Sequence, residues 1–165
     1  MGADLLTRLR EQLVLPVLRL PDADAAVAAA ESALAAGLQV VELTATTPHW
    51  ELALRRLVAD HDDAVVGLGT VVTGEVARAA VESGAAFLVS PWPAPEVRAV
   101  ADATGVPFIE GAYSPGEVAA AASRGPVKLF PAHVGGPQLL RSLRQLLPDL
   151  VIVPTGGIAL DDVPA

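Results

Sequence analysis

Short apolar segments rich in Val, Ile and Leu alternate along this chain with longer segments rich in alanine. Such alternation is typical of repeated βα units, in which buried parallel strands are joined by helices that cover the sheet. After a first amphipathic helix, the predicted strands are Val14–Leu18, Gln39–Leu43, Ala64–Gly67, Ala86–Val89, Pro107–Ile109, Val127–Leu129 and Leu150–Val153. This pattern fits a closed barrel and an open doubly wound sheet equally well, because both repeat the same right-handed crossover.

Three of the segments between strands carry helix start signals. Each has a Ser, Thr or Asp where the first turn needs a cap, and two have a glycine just past the last turn. These residues are Asp22 or Asp24 with Gly37, Thr73 with Gly84, and Ser114 with Glu117 as a capping box. Each helix is expected to return the chain to the next parallel strand.

Length and composition favour a single domain over residues 1–165, since a chain of this length can bury one sizeable core. The formal net charge of −8 disfavours nucleic acid and anionic membranes as partners, because no basic stripe offsets phosphate repulsion. The chain has no cysteine, which removes disulfides, thiolate nucleophiles and Cys-type zinc sites and fits a reducing compartment.

The first 13 residues place charged side chains among their leucines, so they lack the continuous apolar stretch of a signal peptide. No uncharged apolar run reaches the length of about 18 residues that a membrane-spanning helix needs. We therefore expect a soluble, cytoplasmic protein.

Polar side chains occur at the carboxyl ends of the predicted strands, where both candidate architectures gather their ligands. They are Arg19, Glu42, Thr44, Thr70, Ser90, Glu110, Lys128 and Thr155. A charge at the end of an apolar strand must face water, a partner group or a ligand.

Lys128 and Glu42 each place one charge on an otherwise apolar strand. Lys128 is either a structural lysine, snorkelling or in a buried salt bridge, or a desolvated lysine whose neutral amine attacks a ketone. Glu42 is either the structural partner of a lysine or a carboxylate that moves protons around a carbinolamine.

Glycine-containing turns follow three predicted strands, at 67–71, 110–112 and 154–158. Such turns expose backbone N–H groups that can hold a carboxylate or a phosphate. Taken singly they are weak signals, because glycine also serves any tight turn.

Five ordered motifs together resemble the 2-keto-3-deoxy-6-phosphogluconate (KDPG) and 4-hydroxy-2-oxoglutarate (KHG) aldolases. They are Glu42-Leu43-Thr44, Gly67-Leu68-Gly69-Thr70-Val71, Phe87-Leu88-Val89-Ser90-Pro91, Val127-Lys128-Leu129-Phe130-Pro131-Ala132 and Pro154-Thr155-Gly156-Gly157-Ile158. The segment 15–19 resembles the first strand of that family, so the likeness runs from about residue 13 to the end in the family order. The Lys-x-Phe-Pro-Ala pattern is its most specific element.

The resemblance implies a (β/α)8 barrel of the TIM type, no metal, no cofactor and a class I aldolase that makes pyruvate from a 2-keto acid. In it Lys128 matches the Schiff-base lysine and Glu42 the general acid and base. The matching substrate-binding positions are Thr70, Pro91, Phe130, Thr155, Gly156 and Gly157. The family also implies a homo-oligomer, with a trimer favoured.

Two departures from the family pattern stand out. The usual Glu-Leu-Thr-x-Arg-Thr motif has an arginine where this chain has Thr46, so a bidentate anion grip is lost there. Either Arg19 supplies the charge instead, or the substrate differs. His49, Trp50 and Trp92 either line a changed pocket or are exposed loop side chains, and His133 is open to a structural or a functional interpretation.

The second departure is length. Only seven βα units are evident before the chain stops at Asp161–Ala165, the start of a further helix, so the eighth unit and its phosphate-binding turn are expected to be missing.

Two other functions stay open from the residues alone. One is a non-catalytic barrel that binds a keto acid or a sugar phosphate. The other is a different phosphate-binding barrel enzyme, an isomerase or synthase, in which Lys128 acts only through its charge.

Overall fold

The computed structural model describes residues 2–159, in which helices and strands alternate regularly. In chain order the elements are α1 (Gly2–Gln12), β1 (Val17–Leu18), α2 (Ala23–Ala35), β2 (Val40–Thr44), α3 (Trp50–Asp60), β3 (Val65–Gly69), α4 (Gly74–Glu82), β4 (Leu88–Val89), α5 (Pro95–Thr104), β5 (Phe108–Ala112), α6 (Pro115–Ala122), β6 (Val127–Leu129), α7 (Gly136–Leu146) and β7 (Ile152–Pro154). The predicted α/β fold with seven parallel strands is confirmed. The helix predicted to begin at Asp161–Ala165 lies outside the described residues.

Every predicted strand forms, and its ends differ from the prediction by at most three residues. The first strand starts late, at Val17 instead of Val14, because the side chain of Gln12 occupies the backbone groups that a longer strand would use. Its Nε2 donates to the carbonyl oxygens of Val14 (2.5 Å) and Val40 (2.8 Å), and its Oε1 accepts from the Val40 N–H at 2.9 Å. An amide side chain thus replaces strand pairing at the amino end of β2.

The predicted helix caps are also confirmed. Asp22 accepts from the N–H of Ala25 at 2.8 Å, and Thr73 caps α4 in the same way. Ser114 and Glu117 form a full capping box at the start of α6. These caps satisfy backbone donors that a helix start otherwise leaves without partners.

The described residues form two compact units, one of residues 2–89 with 95–108 and one of residues 90–94 with 109–159. In the first unit the strand order is β1-β2-β3-β4 with parallel pairing, and Glu42 stands in register with Val17 on one side and Gly67 on the other. In the second unit the order is β5-β6-β7, again parallel, and Lys128 stands between Gly111 and Val153.

The core of the first unit is made by strand residues and by the inward faces of its helices. Leu43, Leu54, Leu68 and Phe87 are all fully buried. A Cβ at Gly67 would overlap the ring of Phe87, so glycine at that strand position lets a large aromatic side chain fill the core.

The second unit has its own apolar cluster, formed by Ala112, Val118, Ala121, Val127, Leu129, Leu143 and Leu150. It joins β5 and β6 to α6 and α7. Lys128 lies on β6 between Val127 and Leu129, which are both buried in this cluster. Among the helices of residues 2–159, none has both the length and the apolar character needed to cross a membrane.

Candidate active site

The carboxylate of Glu42 is held near the carboxyl end of the strands of the first unit. The residue is 1% exposed and lies in the middle of β2, in register with Gly67 on β3. Its side chain leans towards the carboxyl end, because a Cβ at Gly69 would overlap its carboxylate. The missing side chain of Gly69 therefore provides the space in which the Glu42 carboxylate sits.

Arg19, just after β1, is oriented by two threonine hydroxyls. Its guanidinium donates to Oγ1 of Thr46 and, at 3.2 Å, to Oγ1 of Thr70. A guanidinium has five N–H donors in a rigid fork, so these two bonds leave donors for an anion. Thr46 stands where the family motif has an arginine. Its hydroxyl holds Arg19, the residue expected to supply the positive charge of that missing arginine.

A threonine network, exposed at Thr46 and buried at Thr44 and Thr47, connects this arginine to the strands. Thr46 Oγ1 donates to Oγ1 of Thr44 at 3.2 Å, and Thr44 Oγ1 lies 3.3 Å from the carbonyl oxygen of Leu18 and from Oγ1 of Thr47. Thr44 is fully buried and lies two residues after Glu42. The first unit therefore brings together Arg19, Thr46 and Thr70 by direct hydrogen bonds. Thr44, on the same strand as Glu42, connects this group to β2.

In the second unit, Lys128 lies in the middle of β6 and is 6% exposed. Its Nζ lies 5.9 Å from the centre of the Phe130 ring, which is itself 36% exposed. Burial on an apolar strand sets this amine apart from a surface lysine, because little of it is in contact with water. The second unit therefore places Phe130 beside the lysine, and its role as a pocket wall stays a prediction.

The loop that carries Pro91 is fixed to β5 by a buried serine. The Gly111 N–H donates to Ser90 Oγ at 3.0 Å, and Ser90 Oγ donates to the carbonyl oxygen of Trp92 at 2.7 Å. A Cβ at Gly111 would overlap the backbone of Pro91 and Trp92. Glycine in β5 therefore allows this loop to pass directly against the strand that pairs with Lys128.

The turn of Thr155, Gly156 and Gly157 after β7 is attached to the segment that follows Lys128. The Thr155 N–H donates to the carbonyl oxygen of Leu129 at 2.9 Å, and the Ala132 N–H donates to that of Thr155 at 2.8 Å. Gly156 packs under Phe130, since a Cβ there would lie 2.9 Å from its ring. Lys128, Phe130 and the predicted anion-binding turn therefore form one connected substructure.

Of the four residues proposed to change the pocket or left open, Trp50 is a core residue. It is 7% exposed at the start of α3, so it is not an exposed loop side chain, and a role in lining a pocket stays a prediction. Trp92 is 55% exposed, and His49 lies on a surface cleft of about 410 Å³ beside Asp22 and Arg56. His133 contacts the turn after β7.

Sequence reasoning missed two supporting roles. The sequence indicates Glu110 only as a strand-end polar group, whereas the residue is buried and accepts from the N–H of Ala94 at 3.1 Å, at the start of α5. It also indicates Gly69 only as part of a turn. A glycine inside a strand often marks a close approach of another group, and the Gly-x-Gly spacing at Gly67 and Gly69 carried that signal.

Comparison with known proteins gives a consistent result. The model of the KDPG and KHG aldolase family matches residues 5–165. A 2-dehydro-3-deoxy-phosphogluconate aldolase of Pseudomonas aeruginosa is 37% identical over 161 residues, which cover 95% of this chain and 73% of that protein. The enzyme of the same name from Haemophilus influenzae is 33% identical, over 96% of this chain and 76% of that protein.

Two solved structures are similar to this one. The KDPG aldolase of Zymomonas mobilis ZM4, with 3-phosphoglycerate, has a TM-score of 0.89 and 31% identity, over 99% of this chain and 79% of that one. The KDPG aldolase of Legionella pneumophila, with pyruvate captured as a covalent carbinolamine intermediate, has a TM-score of 0.84 and 31% identity, over 91% of this chain and 74% of that one.

Proposed function

Because this chain belongs to the KDPG and KHG aldolase family, we propose that it is a class I aldolase that cleaves KDPG or a related 2-keto-4-hydroxy acid to pyruvate and an aldehyde. One observation carries the proposal. Lys128 is the only lysine in the 165 residues, against ten arginines, and it lies buried on a strand. A chain that uses arginine at every other basic position has kept one primary amine where water is excluded, and an imine requires a primary amine.

The chemistry follows from that amine. The neutral Nζ of Lys128 adds to the C2 ketone of the substrate, and loss of water gives a protonated imine. The imine accepts the electron pair when the bond between C3 and C4 breaks. The C4 hydroxyl loses its proton, and the fragment that begins at C4 leaves as an aldehyde. The resulting enamine takes a proton at C3, and hydrolysis releases pyruvate and the free lysine.

Glu42 is proposed to move the protons in these steps. Its burial in a low-dielectric environment and the space left by Gly69 give the carboxylate a defined position. A carboxyl group so placed can give a proton to the leaving water when the carbinolamine dehydrates, and the resulting carboxylate can then take the proton of the C4 hydroxyl at cleavage and return it to C3 of the enamine. Replacing the carboxylate with an amide would keep the shape of the side chain and remove the proton transfer.

The substrate anions are proposed to bind in two places. Arg19, held by Thr46 and Thr70, offers a charged group with free donors, and the turn at Thr155, Gly156 and Gly157 offers backbone N–H groups. Pro91 and Phe130 are proposed as apolar walls, since one passes along β5 and the other stands beside Lys128. Both the carboxylate and the distal group of a phosphorylated keto acid suit such donors.

Three finer assignments are proposed from the family resemblance alone. They are a single (β/α)8 barrel domain over residues 1–165, a cytoplasmic location and a homotrimer. Light scattering of the purified chain measures the oligomeric state directly, and a monomer or dimer would contradict the trimer.

The decisive experiment is reductive trapping. The chain is incubated with pyruvate and borohydride, and its intact mass is recorded. Lys128 carries the only side-chain amine, so the N-terminal amine is the sole competitor, and Lys128→Arg is a matched control that keeps the positive charge but cannot form the imine. We expect one adduct on the original chain and none on the variant. A folded chain without an adduct, or an adduct that persists in Lys128→Arg, would refute the proposal.

A further inference from the structure

His133 contacts both glycines of the turn after β7, although it belongs to the loop after β6. Its backbone N–H donates to the carbonyl oxygen of Gly156 at 3.1 Å, and its ring nitrogen Nδ1 lies 3.3 Å from the same oxygen. A Cβ at Gly157 would lie 2.7 Å from Nδ1 and 2.8 Å from the Cγ of the ring. The imidazole is therefore packed into this turn while its other edge faces solvent.

The contact orients the turn. A carbonyl oxygen only accepts, so Nδ1 bonds to Gly156 in the tautomer that carries the ring proton there, and Gly156 then receives two hydrogen bonds from one residue. In a trans peptide the C=O and the next N–H point in opposite directions. Holding the Gly156 carbonyl towards His133 therefore directs the Gly157 N–H away from it.

The N–H groups of this turn remain available for a ligand. Gly156 and Gly157 both have positive φ, +91° and +67°, a backbone conformation that glycine adopts at no steric cost. Within residues 2–159, neither N–H donates to a backbone carbonyl.

We propose that His133 is a positioning residue, which holds this turn so that the N–H groups of Gly156 and Gly157 bind an oxyanion of the substrate. The inference rests on the proposed function and extends it, because it assigns a role to a side chain that touches no reacting atom. The oxyanion is a carboxylate or a phosphate, since both accept hydrogen bonds from such a turn.

The test is a titration followed by nuclear magnetic resonance, with the amide signals of Gly156 and Gly157 as the readout. It is carried out in the Lys128→Ala chain, which cannot form an imine, so the result does not depend on catalysis. Pyruvate is the carboxylate probe and inorganic phosphate is the phosphate probe. Trapping in the original chain tests the proposed function separately, so failure of one does not imply failure of the other.

Three substitutions separate the hydrogen bond from simple bulk. His133→Ala removes the donor, and His133→Asn keeps an amide N–H near the place of Nδ1. Val134→Ala changes the same loop at a side chain that is 46% exposed, and its backbone carbonyl keeps the bond it accepts from Tyr113. Should the alanine variant fail to fold, His133→Leu takes its place, because it keeps bulk without a donor.

We expect at least one probe to shift the two glycine amides, and His133→Ala to raise its Kd by about five- to tenfold, as the loss of one hydrogen bond predicts. His133→Asn and Val134→Ala should stay within about twofold. A shift with pyruvate assigns the turn to the carboxylate, and a shift with phosphate alone assigns it to the phosphate. The proposal fails if neither probe moves these amides, if Kd is unchanged in His133→Ala, or if the Asn and Ala variants weaken binding equally.

Discussion

The side chain of Glu42 fills the space that a side chain at Gly69 would need. Glu42 is in register with Gly67, yet its carboxylate reaches over the residue two positions further along β3. The backbone of Glu42 therefore lies in the interior of β2, while its carboxylate lies nearer the carboxyl end of the strands. The role proposed for Glu42 therefore depends on the glycine at position 69 of β3.

Gly69→Ala is therefore expected to damage both stability and activity. The new Cβ would overlap the Glu42 carboxylate and force it aside, at a cost of about 1–3 kcal/mol in the free energy of unfolding. Because a small displacement of a catalytic group is costly, kcat should fall by about 100-fold. Urea unfolding and pyruvate release measure the two effects. Gly116→Ala is the matched control, since a Cβ there meets no atom within 4 Å and both properties should be nearly unchanged.

Glu42→Gln is expected to leave the fold intact, because the amide has the shape of the carboxylate. General acid and base catalysis contributes about 100- to 10,000-fold, so kcat should fall by a factor in that range. Steady-state kinetics with KDPG measures the loss. A variant that keeps more than half of the original kcat would show that another group moves the protons.

The bond between Arg19 and Thr46 predicts a coupled effect on substrate binding. Thr46→Val removes the hydroxyl that orients the guanidinium, and we expect KM to rise by about fivefold with kcat little changed. In a chain that already carries Arg19→Ala, the same substitution should have no further effect. This double-mutant cycle isolates the pair. Additive losses would mean that Thr46 acts without Arg19.

The capping box of α6 predicts acid sensitivity. Bonds from the backbone and side chain of Ser114, and from the backbone of Tyr113, hold the pKa of Glu117 below its ordinary value. A carboxyl whose pKa is lower in the folded state stabilises the fold above its unfolded pKa, and this contribution is lost as pH falls through the folded value.

Glu117→Ala should therefore lower the urea midpoint at pH 7, while at pH values well below about 4 the original chain and the variant should unfold at nearly the same urea concentration. The group is exposed, so the effect should be small, at most about 1 kcal/mol. A difference between the two chains that does not shrink with acid would contradict the ionic origin.

The features that sequence predicts well here are local ones. Strand and helix alternation follows from hydrophobic period, and the caps at Asp22, Thr73 and Ser114 follow from side chains that bond their own helix starts. The placement of Lys128 and Glu42 on strands could also be predicted from the apolar residues around them, whereas their roles stay a proposal.

The remaining features depend on contacts between residues far apart in sequence. The late start of β1 is caused by a glutamine in α1, and the use of Thr46 to hold Arg19 joins two different loops. The role of Gly69 depends on which side chain lies across it on the next strand. No periodicity or local propensity encodes such pairings, so only the folded arrangement reveals them.

Because the sole lysine is buried, chemical labelling of its amine can be used to follow local unfolding of this protein. An amine-reactive label too large to enter the folded second unit can modify only the chain terminus until β6 is exposed to solvent. The second label to appear on the intact mass would then record how often this strand opens, without any substitution in the chain.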